Sequence, residues 1–321
     1  MTLEHRHRPF TLALCNEVIR ELPFDAQCGA AATLGYDALE VAPFTLADDP
    51  RTLRDSDLER LAAAAAAAGV RISSLHWLLM APAGLSITSP DPQVRRTTLE
   101  VMEVLVGVCS ALGGSVLVHG SPQQRSLSTG DAAGDAERAV AAFAHIAAVA
   151  ERAGVTYCIE PLSTRETAFV NSVAEAAAIV ARVGSPALKT MLDARAARLS
   201  EVEPAEDVLR EGLRSGVIAH VHLNDSSGLA PGQGSDRFTD LLEVLIAEGF
   251  AGTVAVEPFE YRPDGQGAAA WSAGYVTGLL DAAIPPDDAD RIEDLLDRYR
   301  AEGPVDFHAL RTRESGRQRF V

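Results

Sequence analysis

No stretch of about 18 consecutive apolar residues occurs in this 321-residue chain, so a membrane-spanning helix is not expected. The first nine residues are charged and lack the apolar core of a signal peptide. Cysteine is scarce: Cys15, Cys28, Cys109 and Cys158 stand far apart, without CxxC spacing. Neither a disulfide frame nor a zinc ribbon is indicated, and the cytosol is the expected compartment. Positive charge is short as well, with 28 basic against 45 acidic residues and a net charge of −17. With no concentrated basic patch, nucleic acid is not an expected partner. A Gly-rich phosphate turn after the first strand is also missing, which counts against a doubly wound nucleotide-binding sheet.

What is present is the composition of an ordinary soluble globular protein, 47% apolar and 23% charged. Much of the apolar share is alanine, as in the run 62–68, which suits close-packed helices. A short apolar strand followed by an amphipathic helix recurs eight times. Strands are expected at 10–18, 36–44, 70–77, 115–120, 156–162, 188–193, 218–225 and 253–258. Helices are expected at 25–34, 55–68, 94–112, 135–153, 172–183, 204–215, 238–248 and 268–283. Gly69 marks one helix stop and Ser172 is a candidate cap. Eight such units without a linker predict an α/β fold, a (β/α)8 barrel over residues 1–284. Residues 285–321 lie beyond the eighth unit, with a short helix expected at 288–301 and then a polar, basic tail. A tail of that kind would pack on the barrel, pack on a second copy or be disordered, with a homodimer as the candidate assembly.

The most informative stretch is Ile218-Ala219-His220-Val221-His222-Leu223-Asn224-Asp225. Its alternation puts two imidazoles on one face of an otherwise apolar strand. In a barrel of this kind the carboxyl ends of the strands surround one pocket. Those ends carry Cys15, Asn16 and Glu17, then Glu40, His76 and His119, and finally Glu160, Asp193, His222 and Glu257. Any single acid there could simply cap the next helix. Glu, Asp, His and Glu on four consecutive strands is harder to bury, because three adjacent carboxylates repel unless protons or a cation balance them. One divalent ion held by Glu160, Asp193, His222 and Glu257 resolves the repulsion. Its oxygen-rich donors suit Mn2+ first, with Mg2+, Co2+ or Zn2+ as alternatives.

The segments Ile159-Glu160-Pro161-Leu162, Met191-Leu192-Asp193, His220-Val221-His222-Leu223 and Val256-Glu257-Pro258-Phe259 resemble the xylose-isomerase-like TIM-barrel superfamily. Within it they are most similar to the D-tagatose/D-psicose 3-epimerase group, and the likeness spans residues 10–283. The resemblance implies a metal held by Glu160, Asp193, His222 and Glu257, with Glu160 and Glu257 also exchanging the substrate's proton through a cis-enediolate. The implied substrate is a small carbohydrate, a keto-sugar or cyclitol. Glu166 matches an acid that contacts the far end of the sugar, and Ala230-Pro231-Gly232-Gln233-Gly234 matches the group's Pro-Gly turn. Two positions depart from the pattern: Ala196 stands where the group has a substrate-binding His, and Gly228 where it has an Arg. His76, His119 and Arg195 are the candidates to replace them as substrate-binding groups, each with a structural role as the competing reading.

Three other readings stay open. The same centre could serve a lyase or dehydratase acting on a keto-glycoside or related carbonyl compound. The run Leu223-Asn224-Asp225-Ser226 resembles the apurinic-endonuclease branch, but Ala196 and Phe238 stand where that branch needs further His ligands. A metal-binding scaffold without activity is the third.

Overall fold

The computed structural model describes residues 8–128 and 130–283. Eight parallel strands close a barrel in sequence order, β1 (Thr11–Cys15), β2 (Ala38–Val41), β3 (Arg71–Leu75), β4 (Val116–His119), β5 (Thr156–Ile159), β6 (Leu188–Asp193), β7 (Ile218–Leu223) and β8 (Thr253–Val256). The ring closes where Leu14 of β1 pairs with Val256 of β8. The (β/α)8 expectation is met. β6 spans the expected residues, and the other seven strands are shorter than the apolar runs suggest, because end residues of those runs leave the ladder for the loops. After Cys15, for example, the chain coils into a short 3-10 turn, Asn16–Ile19.

The helices are α1 (Phe24–Leu34), α2 (Asp55–Ala68), α3 (Pro92–Ala111), α4 (Ala132–Ala153), α5 (Val173–Val183), α6 (Ala194–Ser200), α7 (Ala205–Arg214), α8 (Thr239–Ala247) and α9 (Gly265–Ala283). Their ends follow local chemistry. Gly69 adopts φ +79° and closes α2 with its amide on the carbonyls of Ala65 and Ala66, a backbone shape that costs other residues a steric clash. Ser172 caps α5 by accepting from the Glu175 amide at 3.1 Å. Helices α1, α3, α4 and α9 begin earlier than periodicity suggests; Asp91 and Asp131 cap α3 and α4, and Pro92 fits the first turn of α3. Helix α6 is additional to the eight expected; it starts directly at the end of β6.

Val116, Val118, Cys158 and Met191 pack into one buried apolar cluster. All four cysteines are free and buried, and among the described residues no helix is long and apolar enough to cross a membrane. By internal contacts the chain divides into units 1–277 and 278–321. Of the second unit, the described residues are the last turn of α9. The expected extension at 285–321, with its helix at 288–301, lies outside the described residues.

Candidate metal centre and cleft

The four presumptive ligands converge. One donor atom from each of Glu160, Asp193, His222 and Glu257 lies within 4.8 Å of the others, and all four residues are buried. The strand register arranges this. An irregularity between Thr190 and Met191 slides β6 along β7 so that Asp193 pairs with His222. Glu160 and Glu257 are the first residues past β5 and β8, where their amides still bond the neighbouring strands at the carbonyls of His119 and Leu223.

Asp193 is held at both carboxylate oxygens, Glu257 at one, and Glu160 through its backbone. Asp193 caps α6 through Oδ1, which accepts from the Ala196 amide at 2.6 Å, while Oδ2 accepts from Asn224 Nδ2 at 2.6 Å. Capping and ligation are therefore not competing roles for this residue. Glu257 Oε1 accepts from Trp77 Nε1 at 2.9 Å and from His76 Nδ1 at 3.1 Å, which leaves Oε2 facing the centre. The Glu160 backbone carbonyl accepts from the fully buried Arg125 at 2.7 Å. In the middle, His222 Nδ1 stands 2.9 Å from Glu257 Oε2, 3.4 Å from Glu160 Oε1 and 3.9 Å from Asp193 Oδ2. It is completely buried, yet none of these approaches has hydrogen-bond geometry. A buried imidazole nitrogen without a hydrogen bond, surrounded by three carboxylates, fits a divalent cation better than a set of protons.

The electrostatics agree with that fit. Burial pushes the Glu160 carboxyl up. Burial, joined by the charges of Glu160 and Glu257, pushes Asp193 up to about 7. Burial acts on Glu257 in the same direction, but the imidazoles of His222 and His76 overcome it and draw Glu257 down to about 2. A cation would offset the burial that raises Glu160 and Asp193.

Beside the centre lies a narrow cleft that opens to solvent. Trp77, Leu162 and Phe259 supply apolar walls, and Glu160, Glu166 and Glu257 supply carboxylates. Glu166 accepts from Ser163 Oγ at 2.5 Å and pairs with Arg195 at 3.3 Å. The Arg195 guanidinium also sits 5.3 Å from the centre of the Phe259 ring, so this cation is placed beside the mouth by two cleft residues. His76 is enclosed between Glu17 Oε2, at 2.9 Å from Nε2, and Glu257. Burial opposes a charge on it, but the flanking carboxylates, Glu17 foremost, raise it to about 10. It stands behind Glu257.

His119 is a correction. Its ring lies against Phe143 of α4 and its Nδ1 is 2.7 Å from the Tyr157 hydroxyl, on the helix-facing side of the wall. Alternation explains the change: Val118 faces inward, so the next inward residue is Gly120. A Cβ on Gly120 would come 2.1 Å from Glu160 Oε2. The fourth strand thus contributes a space to the site.

Residues 28–277 match the family model described as the xylose isomerase-like TIM barrel. The chain belongs to that family. Among its relatives is the D-psicose 3-epimerase of Ruminiclostridium cellulolyticum, 28% identical over 234 residues, which are 71% of this chain and 75% of the relative. The L-ribulose 3-epimerase of Mesorhizobium japonicum is 27% identical over 229 residues, 70% of this chain and 72% of the relative. Among solved structures, an L-ribulose 3-epimerase superposes with a TM-score of 0.73 at 21% identity, covering 89% of this chain and 98% of its own. The E. coli 3-keto-D-glucoside 4-epimerase gives 0.70 at 18% identity, covering 84% and 98%. At such identities the superpositions speak to the fold alone.

Several groups in this xylose isomerase-like barrel escape sequence reasoning. Trp77, Gly120, Arg125 and Asn224 all shape the centre, yet none carries a pattern that distinguishes it from wall, turn or loop. Glu40 stands at a strand end and is visible as a buried acid; its partners are not.

Proposed function

We propose that this chain is a divalent-metal-dependent sugar epimerase of the isomerase class, acting on a small keto-sugar or cyclitol. The observation that carries the reading is the pairing of Glu160 and Glu257 across a shared cation-type centre at the floor of a cleft. The related D-psicose and L-ribulose 3-epimerases support the substrate class. Glu160, Asp193, His222 and Glu257 would hold the ion, Mn2+ by preference and Mg2+, Co2+ or Zn2+ as alternatives. When bound, the ion supplies Lewis-acid polarisation of a carbonyl and so acidifies the neighbouring C–H bond.

The rest is work for side chains. One of the two glutamates removes the proton beside the carbonyl, leaving a planar cis-enediolate, and the other returns a proton to the opposite face. Trp77 holds Glu257 Oε1 in place, and Arg125 fixes the backbone at Glu160. Trp77 and Phe259 cover the cleft and exclude water from the exchanging proton. Glu166 and Arg195 stand at the mouth, where the far end of the sugar would be bound. The expected compartment is the cytosol and the expected assembly a homodimer.

A panel of ketohexoses, ketopentoses, keto-glycosides and cyclitols, incubated with Mn2+ in D2O and followed by NMR, tests this. Deuterium should enter at one carbon beside a carbonyl, with inversion there. Loss of a β-substituent instead would assign a lyase, and no exchange on any compound would overturn the proposal. Glu160→Gln and Glu257→Gln should each abolish exchange. A variant keeping more than about a tenth of the parent rate would contradict direct proton transfer by that residue.

A further inference from the structure

On the opposite side of the His222 ring from the three ligand carboxylates lies a fourth, which does not line the cleft. Glu40, on β2, is completely buried. Its Oε1 is hydrogen-bonded to His222 Nε2 at 2.9 Å, and its Oε2 lies 2.7 Å from His220 Nε2. Ser74 Oγ donates to Oε2 at 2.7 Å. Contacts from β3 and β7 therefore hold both oxygens, and the carboxylate has little freedom to turn. The two nitrogens of His222 face different chemistry: Nε2 has this acceptor, while Nδ1 has no hydrogen bond and faces Glu160, Asp193 and Glu257.

We propose that Glu40 is a positioning residue that fixes His222 as the Nε2–H form, turns the Nδ1 lone pair into the cation site, and thereby sets the affinity for the divalent ion. A neutral imidazole carries one N–H, and the hydrogen bond accepted by the other partner decides which nitrogen is left to ligate. An ionised carboxylate behind a ligating imidazole also makes its lone pair a stronger donor. The arrangement deepens the cation-site reading and rests on it. If Glu40 instead only filled the barrel, replacing it would change the stability of the metal-free chain and leave ion affinity alone.

Two measurements on the full chain decide this. The first uses uniformly 15N-labelled protein loaded with diamagnetic Zn2+. The His222 ring should show its proton on Nε2 and none on Nδ1; a proton on Nδ1 overturns the proposal. The second is calorimetric titration with Mn2+ of the parent and of Glu40→Gln, which keeps the shape of the side chain and removes its charge. The dissociation constant should weaken by about 10–100-fold, and a change of less than twofold in a folded variant overturns the proposal. Should Glu40→Gln fail to fold, Glu40→Asp, which keeps the charge but shortens the reach to His222 Nε2, takes its place in the titration with the same two outcomes. A parent that takes up neither ion would overturn the cation site itself, whereas a parent that binds beside an equally tight Glu40→Gln overturns only the role of Glu40.

Discussion

A single missing methyl group makes room for Glu160, one of the two acids proposed to move the substrate's proton. Gly120 leaves the volume that Glu160 Oε2 occupies, so Gly120→Ala should push that carboxyl aside. Displacements of this size in a reacting group cost about 100-fold in rate, and a steady-state assay should show a loss of that order with the melting temperature little changed. A second residue-scale prediction concerns His119. Burial first, and then the Arg125 charge, lower its imidazole to about 3, against about 6.5 in an unfolded chain. The unfolded chain therefore binds a proton that the folded chain refuses between those values. Stability from this group is intact above about pH 6.5 and falls by about 1.4 kcal/mol per unit as the pH drops towards 3. Urea titrations across that range should show a shallower acid decline in His119→Gln than in the parent.

At the scale of the element, the junction of β6 and α6 puts a helix cap and a proposed cation ligand in one carboxyl. Asp193 starts the helix by accepting from the Ala196 amide and offers its other oxygen towards the centre. Asparagine caps a helix about as well as aspartate does but carries no charge for a cation. Asp193→Asn should therefore keep the α6 cap and lose the bond from Asn224 Nδ2, which needs an acceptor in that place. Mn2+ affinity should fall by at least tenfold. Equal affinity in a calorimetric titration would remove Asp193 from the ligand set. The same junction shows why α6 is invisible to periodicity: seven residues starting at a strand end have too few turns to declare an apolar face.

For the whole molecule, the last four strands are joined at one end by groups that repel each other. An ion that binds only the folded barrel stabilises it by mass action, about 2.7 kcal/mol at a hundredfold excess over its dissociation constant. Exhaustive chelation should therefore lower the melting temperature by several degrees, and Mn2+ should restore it. A transition indifferent to both treatments would argue that the four donors hold nothing. The barrel order brings these four candidate donors together from the ends of four successive strands.

Eight repeats of strand and helix, and acids or imidazoles at the ends of strands five to eight, were determined by the sequence alone. Side-chain period and strand order are local properties, and the ring follows from them. The orientation of His222, the bond from Trp77 to Glu257, the space at Gly120 and the outward turn of His119 were decided by tertiary structure. Each depends on the register between strands, and in a closed ring that register is set by all eight strands together. A strand end read by itself shows which residue is there; only closure of the barrel decides which atom of it meets a partner.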